Sequence, residues 1–206
     1  MPENAADAII HLYQENASSW NGLRTQTLFE QPWLDRFLAL TLSGGRNILD
    51  LGCGSGQPIA RYFIDNKCQI TGVDGAAAMT NIARKSFPEH TWIAADMRNL
   101  PSLGKFHGVI AWHSFFHLTP EDQRPIFKTF SRLCCPGAAL MFTSGTSLGE
   151  AIGTYAGQPL YHGSLDSTEY RHLLQKNGFE VIDHVKEDPT CGGATIWLAQ
   201  KTLNID

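Results

Sequence analysis

Concentrated positive charge is missing from this sequence. Its 206 residues include 16 lysines and arginines against 20 aspartates and glutamates, a formal net charge of −4, and the basic residues form no cluster. Nucleic acids and anionic membrane surfaces are bound through concentrated positive charge. We therefore expect neither nucleic acid nor a membrane as a partner of this chain.

Long apolar runs and a secretory signal are missing as well. No apolar stretch approaches the roughly 20 residues that a membrane-spanning helix requires. The first seven residues are acidic, whereas a signal segment begins with basic residues and continues into an apolar core. These features predict a cytoplasmic protein.

Cysteine is scarce and shows no metal-binding pattern. The five cysteines are an odd number, and no two of them form the C-x-x-C spacing of zinc sites. We expect free thiols and no bound metal. Cys134 and Cys135 are adjacent, which leaves open a redox pair or, more simply, two buried small residues.

What the chain does contain is a regular alternation of apolar runs and amphipathic segments, of a length that suits one domain. Strands are predicted at about 48–51, 68–73, 91–94, 106–112 and 138–143. Helices are predicted between them at about 57–66, 76–87 and 120–134. Such alternation predicts a parallel, doubly wound α/β sheet with ligand sites at the carboxyl ends of its strands.

The chain begins with two predicted amphipathic helices, over about 5–19 and 24–41, with Trp20–Gly22 in the break between them. Gly44 and Gly45 separate this part from the first strand. We therefore interpret the chain as a single domain, with a helical cap at 1–43 and an α/β core at 44–206.

A glycine-rich turn follows the first predicted strand. Gly52, Gly54 and Gly56 follow Asp50 in the pattern D-x-G-x-G-x-G, and Pro58 opens the next predicted helix. Glycine lets backbone approach a ligand closely, at a helix N-terminus. A dinucleotide site would instead read G-x-G-x-x-G. An NAD-dependent oxidoreductase is therefore a less favoured alternative.

Further landmarks follow the later strands. Asp74 ends the second strand about twenty residues beyond the glycines, where a carboxylate can accept both ribose hydroxyls of a nucleoside. Asp96 and Met97 end the third strand, Trp112 ends the fourth, and a proline–glycine turn at 136–137 precedes the fifth.

These landmarks, in this order over about residues 46–143, resemble the class I S-adenosylmethionine-dependent methyltransferases. The resemblance implies a Rossmann-like, mostly parallel seven-stranded sheet whose last strand is antiparallel. Strands at about 179–186 and 194–201, after a helix at about 167–177, would complete it. It also implies an enzyme that moves a methyl group from S-adenosylmethionine to a small-molecule acceptor and leaves S-adenosylhomocysteine.

The same resemblance implies roles for individual residues. The three glycines would approach the amino-acid end of the cofactor, Asp74 would hold its ribose, and Asp96 with Met97 would address its adenine. Asp50 is expected to order the glycine turn. The complete set of predicted cofactor residues is Tyr13, Trp20, Asp50, Gly52, Cys53, Gly54, Gly56, Asp74, Gly75, Asp96, Met97, Trp112 and His113.

Two histidines follow the fourth strand and are the candidate catalytic residues. His113 and His117 could each contact the cofactor or act as a general base, or merely satisfy backbone groups in a tight turn. Their H-x-x-x-H spacing would suit zinc only with a third ligand, which the sequence does not indicate.

Aromatic and histidine side chains are the candidate acceptor pocket. Phe116, Tyr155, Tyr161 and His162 either line this pocket or pack in the core and on a surface loop. Tyr13 and Trp20 either close over the sulfonium with their ring faces or pack helices onto the sheet.

The type of acceptor is constrained by one missing motif. Amino-group methyltransferases for DNA bases or glutamine often carry Asn/Asp-Pro-Pro-Tyr/Phe after the fourth strand, and this chain does not. A protein that binds the cofactor without catalysis remains an alternative, since methyl transfer needs no diagnostic residue. The apolar N-terminal helices are predicted to form a lid, a homodimer face or both.

Overall fold

The structure, a computed structural model, describes residues 5–23, 27–41 and 45–203. The predicted start of the second helix at 24 and the glycine at 44 lie outside the described residues. The helices are α1 Ile9–Leu23, α2 Gln31–Thr41, α3 Ile59–Asp65, α4 Ala77–Ser86, α5 Pro120–Leu133 and α6 Ser167–Lys176. The strands are β1 Asn47–Leu51, β2 Gln69–Asp74, β3 Thr91–Ala94, β4 Phe106–Ala111, β5 Cys134–Ser144, β6 Gly149–Tyr155, β7 Gln158–Ser164, β8 Phe179–Asp188 and β9 Ala194–Lys201.

Seven strands form one sheet in the order β3-β2-β1-β4-β5-β9-β8. Strands β1 to β5 pair in parallel, and β9 runs antiparallel to both β5 and β8. The predicted seven-stranded, mostly parallel sheet is confirmed. The strand order reverses between β1 and β4, and such a reversal opens a crevice at the carboxyl ends of the strands.

The sheet separates two apolar layers. Neighbouring residues of a strand point to opposite faces, so Ile48 of β1 joins the layer under α2 and α3 while Leu49 joins the layer under α5 and α6. Phe37 and Phe127 are fully buried, one in each layer. A strand that is covered on both faces explains the continuous apolar run in β1.

Side chains cap the starts of α5 and α6. The Thr119 side chain accepts a hydrogen bond from the backbone N–H of Asp122 at 3.2 Å, and Asp166 accepts one from Thr168 at 2.8 Å. Glu169, three residues after Asp166, accepts a hydrogen bond from Arg124 Nε at 2.6 Å. This carboxylate therefore joins α6 to α5.

The helix break expected at Trp20–Gly22 is wrong, because these residues lie inside α1. The Trp20 ring packs edge-on against Tyr13 and Tyr155, with both centroid distances 5.3 Å. These contacts outweigh the weak helix propensity of Asn21 and Gly22.

The segment after β5, where a surface loop was one expectation for Tyr155, Tyr161 and His162, forms two strands instead. Strands β6 and β7 form an antiparallel hairpin that pairs Gly149 with Ser164 at one end and Tyr155 with Gln158 at the other. The two turn residues, Ala156 and Gly157, have φ angles of 50° and 77°, as a type I′ turn requires. Alanine at such a position hides the usual Asn–Gly or Asp–Gly hairpin signal.

Two further expectations from the sequence concern the state of the cysteines and membrane-spanning helices. All five cysteines are free thiols, and Cys134 is buried at the start of β5. Across the described ranges, no helix has the length and apolar content needed to cross a membrane.

Candidate functional site

A cavity of about 300 Å³ lies where β1, β2 and β4 end; we call it the first cavity. Its floor is formed by the glycine turn at 50–55 and by Asp74 and Gly75, and its roof by α1 and the β6–β7 hairpin. Every predicted cofactor residue except Gly56 lines it. The other predicted site residues that line it are Phe116, His117 and His162.

The glycine turn is fixed by close backbone packing. Gly52 has a φ of 74°, and a Cβ added there would lie 2.1 Å from the Cβ of Ser114, so no other residue fits. Ser114 Oγ donates a hydrogen bond of 2.6 Å to the carbonyl oxygen of Leu51. This serine, which we did not predict, fastens the turn to the segment after β4.

The next two glycines of the turn differ in what surrounds them. Gly54 has a φ of 54°, and a Cβ there would meet nothing within 4 Å, so the backbone is open on that side. A Cβ at Gly56 would instead lie 3.0 Å from the Trp92 ring and 3.2 Å from Phe87. Gly56 therefore serves packing against these rings and does not line the cavity.

Asp74 joins the glycine turn to the start of α4. Its carboxylate accepts hydrogen bonds from the backbone N–H groups of Gly54 at 2.8 Å and Ala76 at 2.9 Å. Burial raises the pKa of Asp74, and the two N–H groups partly offset that rise. A carboxylate has about four acceptor positions, so two remain for hydroxyl groups of a ligand.

A second carboxylate faces the same space. Asp50 is only 3% exposed, and burial, followed by the charge of Asp74, raises its pKa to about 7. Both causes favour the neutral acid. A positively charged ligand in the first cavity would favour the ionised form and would be attracted to it.

Asp96 is held by Arg98, a residue that the sequence pattern did not indicate. Arg98 Nη2 lies 2.7 Å from Asp96 Oδ2, and its Nη1 lies 3.1 Å from Asp122 and 3.4 Å from Asp7. Burial opposes ionisation of Asp96, but Arg98 outweighs it and lowers the pKa of Asp96. The guanidinium thus meets three carboxylates, contributed by three separate segments.

The roof is joined to the body of the protein at several points. Gln14 Oε1 accepts a hydrogen bond of 2.9 Å from the backbone N–H of Ala78 in α4, and Ile10 covers Gly75, where a Cβ would lie 2.7 Å from its Cγ1. Tyr155 does not line the first cavity. Its ring packs against Trp20 and Tyr13 and so connects the hairpin to α1.

His117 has both ring nitrogens engaged. Its Nδ1 lies 2.8 Å from the carbonyl oxygen of Tyr161, which can only accept, so Nδ1 carries the proton. Its Nε2 then accepts from the Tyr13 hydroxyl at 3.2 Å. Burial lowers the pKa of His117 to about 4, so the ring is neutral at pH 7.

His113 is placed differently. Its φ is 49°, a left-handed conformation that costs a residue with a side chain about 1–2 kcal/mol and is concentrated at functional sites. Its backbone N–H donates to Thr143 Oγ1 at 2.9 Å. The ring lines the cavity between Trp112 and Phe116, with centroid distances of 5.4 and 5.8 Å.

A second cavity of about 470 Å³ adjoins the first. It is lined by Phe116 and by residues 144–151 and 162–164, so Phe116 and His162 line both cavities. Tyr161 lines neither cavity. Its hydroxyl donates to the Glu150 carboxylate of the same hairpin, while its buried ring packs against α1.

No metal site accompanies these cavities in the part of the chain that the structure describes. Histidine, cysteine, aspartate and glutamate side chains do not gather there in groups of three or more that could hold an ion. The H-x-x-x-H spacing of His113 and His117 thus has no third ligand among those residues.

Comparison with known proteins agrees with this geometry. The family model described as "Methyltransferase domain" matches residues 48–137. An O-methyltransferase of Pyrenophora dematioidea is 26% identical over 181 residues, which cover 79% of this chain and 66% of that protein. A malonyl-[acyl-carrier protein] O-methyltransferase of Enterobacter lignolyticus is 30% identical over 97 residues, which cover 47% of this chain and 38% of that protein. The chain thus spans less than two thirds of the length of these relatives.

A solved structure has the same fold. The 1,6-didemethyltoxoflavin-N1-methyltransferase of Burkholderia thailandensis, solved with 1,6-didemethyltoxoflavin and S-adenosylhomocysteine, matches with a TM-score of 0.74 at 18% identity, over 98% of this chain and 91% of that one. Residues 48–137 thus match a methyltransferase domain, and the chain has the fold of the class I S-adenosylmethionine-dependent methyltransferases.

Proposed function

We propose that this protein transfers a methyl group from S-adenosylmethionine to a small-molecule acceptor. The observation that carries the proposal is the floor of the first cavity. There the Asp74 carboxylate retains acceptor positions beside Gly54, whose backbone is open to a ligand. A nucleoside with two adjacent hydroxyls matches this arrangement.

The charges and ring faces of the first cavity also fit the cofactor. S-adenosylmethionine carries an ammonium group and a sulfonium, and the cavity presents the carboxylates of Asp50 and Asp74. The rings of Tyr13 and Trp20 line the roof, and aromatic faces attract cations. We propose that Asp50 faces the ammonium end, and that Asp96 and Met97 border the adenine.

The bound cofactor would supply an activated methyl group, and this chain would align the acceptor and exclude water. We assign His113 to the border of the methyl group and, for an acceptor that must lose a proton, to the role of general base. His117 is less suited to that role, because Tyr13 and Tyr161 engage both of its ring nitrogens. We assign it to positioning Tyr13.

The proposal of a small acceptor draws on the relatives and on charge. The names of similar proteins specify an O-methyltransferase and a 1,6-didemethyltoxoflavin-N1-methyltransferase. A net charge of −4 without a basic cluster is a poor match for nucleic acid.

Five free cysteines suit a reducing compartment such as the cytoplasm. A homodimer through the apolar α1 remains part of the proposal, and light scattering after size exclusion would test it.

The direct test is turnover. The protein is incubated with S-adenosylmethionine carrying a ¹³C-labelled methyl group and a panel of small acceptors, and labelled product and S-adenosylhomocysteine are followed by NMR. We expect the two to appear in equal amounts and only with protein present. Tight cofactor binding without turnover across a broad panel would favour the non-catalytic alternative.

A further inference from the structure

We propose that the second cavity holds the methyl acceptor, and that this acceptor is a flat molecule that is neutral or positively charged rather than an anion. The inference rests on the proposed methyl transfer and adds the substrate class. It is carried by the position of the second cavity, by the ring faces at its boundary and by the charges around it.

The two cavities meet at a pair of rings. Phe116 and His162 line both, with ring centroids 5.0 Å apart. His113 lies on the first-cavity side of Phe116, at a centroid distance of 5.8 Å. A molecule seated against Phe116 in the second cavity therefore lies beside the residue that we assign to the methyl group.

The boundary favours a flat, largely apolar occupant. Phe116 and His162 contribute aromatic rings to the lining, and stacking on such rings favours aromatic molecules. Leu148, a lining residue, is 60% exposed. This side chain adds apolar surface to the lining, and ligand cavities are lined mostly by apolar side chains.

Charge decides between classes of acceptor. Over the described lining of the second cavity the ionisable side chains are Glu150 and His162, and neither lysine nor arginine is among them. Burial lowers the pKa of His162, so the imidazole is neutral at pH 7. A carboxylate or phosphate group would thus meet Glu150 without a compensating cation.

The first cavity offers an anion no better partner. Its cation is Arg98, which already contacts the carboxylates of Asp7, Asp96 and Asp122. Asp50 and Asp74 add two more acids to the same wall. Like charges in a partly desolvated space repel strongly, whereas an ammonium group is attracted.

Three phenols of nearly equal size test the inference, whatever the natural acceptor is. Tyrosol is neutral, tyramine is cationic and 4-hydroxyphenylacetate is anionic at pH 7. Each is titrated by calorimetry into protein saturated with S-adenosylhomocysteine. We expect tyrosol and tyramine to bind at least about tenfold more tightly than the acid. Glu150→Gln should reduce the preference for tyramine over the acid by about threefold or more. Glu180→Gln, at an exposed position of β8 that does not line the second cavity, should not.

The outcomes are separable. Equal or tighter binding of 4-hydroxyphenylacetate would overturn the charge assignment. No binding of any of the three to protein that still binds S-adenosylhomocysteine would overturn the assignment of the second cavity to a flat acceptor. Loss of discrimination in both variants would show that Glu150 is not the responsible group. Failure to bind S-adenosylhomocysteine at all would instead overturn the proposed function.

Discussion

The floor and the roof of the first cavity are built by different means. The floor is a tightly packed backbone turn: Gly52 packs against the Ser114 side chain, and the Asp74 carboxylate accepts hydrogen bonds from two backbone N–H groups. The roof is held by side chains from distant segments. The bond between Tyr13 and His117 spans 104 positions, and that between Ser19 and Tyr155 spans 136.

This difference predicts different stability. The floor is tightly packed, since a Cβ at Gly52 would overlap Ser114. The ring pairs and single hydrogen bonds of the roof are each worth about 0.5–1.5 kcal/mol. Opening the roof should therefore cost less free energy than distorting the floor. This difference suits a site that must admit and release ligands.

The largest effect is expected from the floor itself. Gly52→Ala combines an overlap with Ser114 and a positive φ, and should reduce the free energy of unfolding by about 3 kcal/mol or more. Gly54→Ala is the matched control, because its Cβ would meet nothing within 4 Å and only the φ penalty of about 1 kcal/mol applies. Urea unfolding measures both, and equal losses would contradict the packing account.

Asp74→Ala should have the next largest effect, on ligand affinity. The variant would lose the two hydrogen bonds that the ribose hydroxyls donate to the Asp74 carboxylate in the proposed complex. At about 1.5 kcal/mol each, this loss should weaken S-adenosylhomocysteine binding about 100-fold. Asp65→Ala, which removes an exposed carboxylate paired with Arg61, is the control in the same calorimetric titration. An Asp74→Ala affinity within about threefold of the wild type would refute the proposed ribose contact.

His117 should make the stability depend on pH. Its pKa falls from 6.5 to about 4 on folding, so the unfolded chain binds the proton more readily, and stability decreases as pH falls between these values. From about pH 7 to pH 4.5 this loss is about 2 kcal/mol.

A variant isolates this contribution. His117→Gln should lose less stability than the wild type over the same pH range, as measured by urea unfolding at each pH. Asp50 acts in the opposite direction, because its raised pKa of about 7 makes the fold less stable as pH rises from about 4 to 7. Asp50 is present in both proteins and cancels in the difference. Identical pH profiles would rule out a buried neutral His117.

The smallest effect is expected from the edge of the roof. Tyr155→Ala removes the ring contacts with Trp20 and Tyr13 and should weaken S-adenosylhomocysteine binding about three- to tenfold. Tyr155→Phe keeps the rings and loses only the exposed hydrogen bond to Ser19, so its affinity should stay within about twofold. A large effect of both variants would mean that the hydroxyl, not the ring, holds the roof.

The same contrast explains what the sequence could predict. The floor is encoded locally: Asp50, Gly52 and Gly54 lie within five residues, and Asp74 ends the next strand, so spacing alone predicted that they meet. The seven-stranded, mostly parallel sheet followed from the β–α alternation and the family resemblance. Gly56 was selected with its neighbours, although it packs against Trp92, because the spacing of glycines does not tell which one faces a ligand.

The sequence offered Tyr13 and Trp20 as candidate lid residues, but it did not predict the contacts that hold the roof, because these contacts are not local. Nothing near Tyr13 in the sequence indicates that it meets His117, and the β6–β7 hairpin was hidden by alanine in its turn. Arg98 was overlooked for the same reason, since its carboxylate partners at 7 and 122 come from other segments. The second cavity depends on the hairpin and could not be anticipated without it.

One titration tests the central claim most directly. The wild-type protein is titrated by calorimetry with S-adenosylmethionine, S-adenosylhomocysteine and, as a control, NAD. The floor geometry predicts micromolar binding of both sulfur nucleosides and no binding of NAD. Binding of NAD, or of none of the three, would contradict the assignment of Asp74 and the glycine turn to this cofactor.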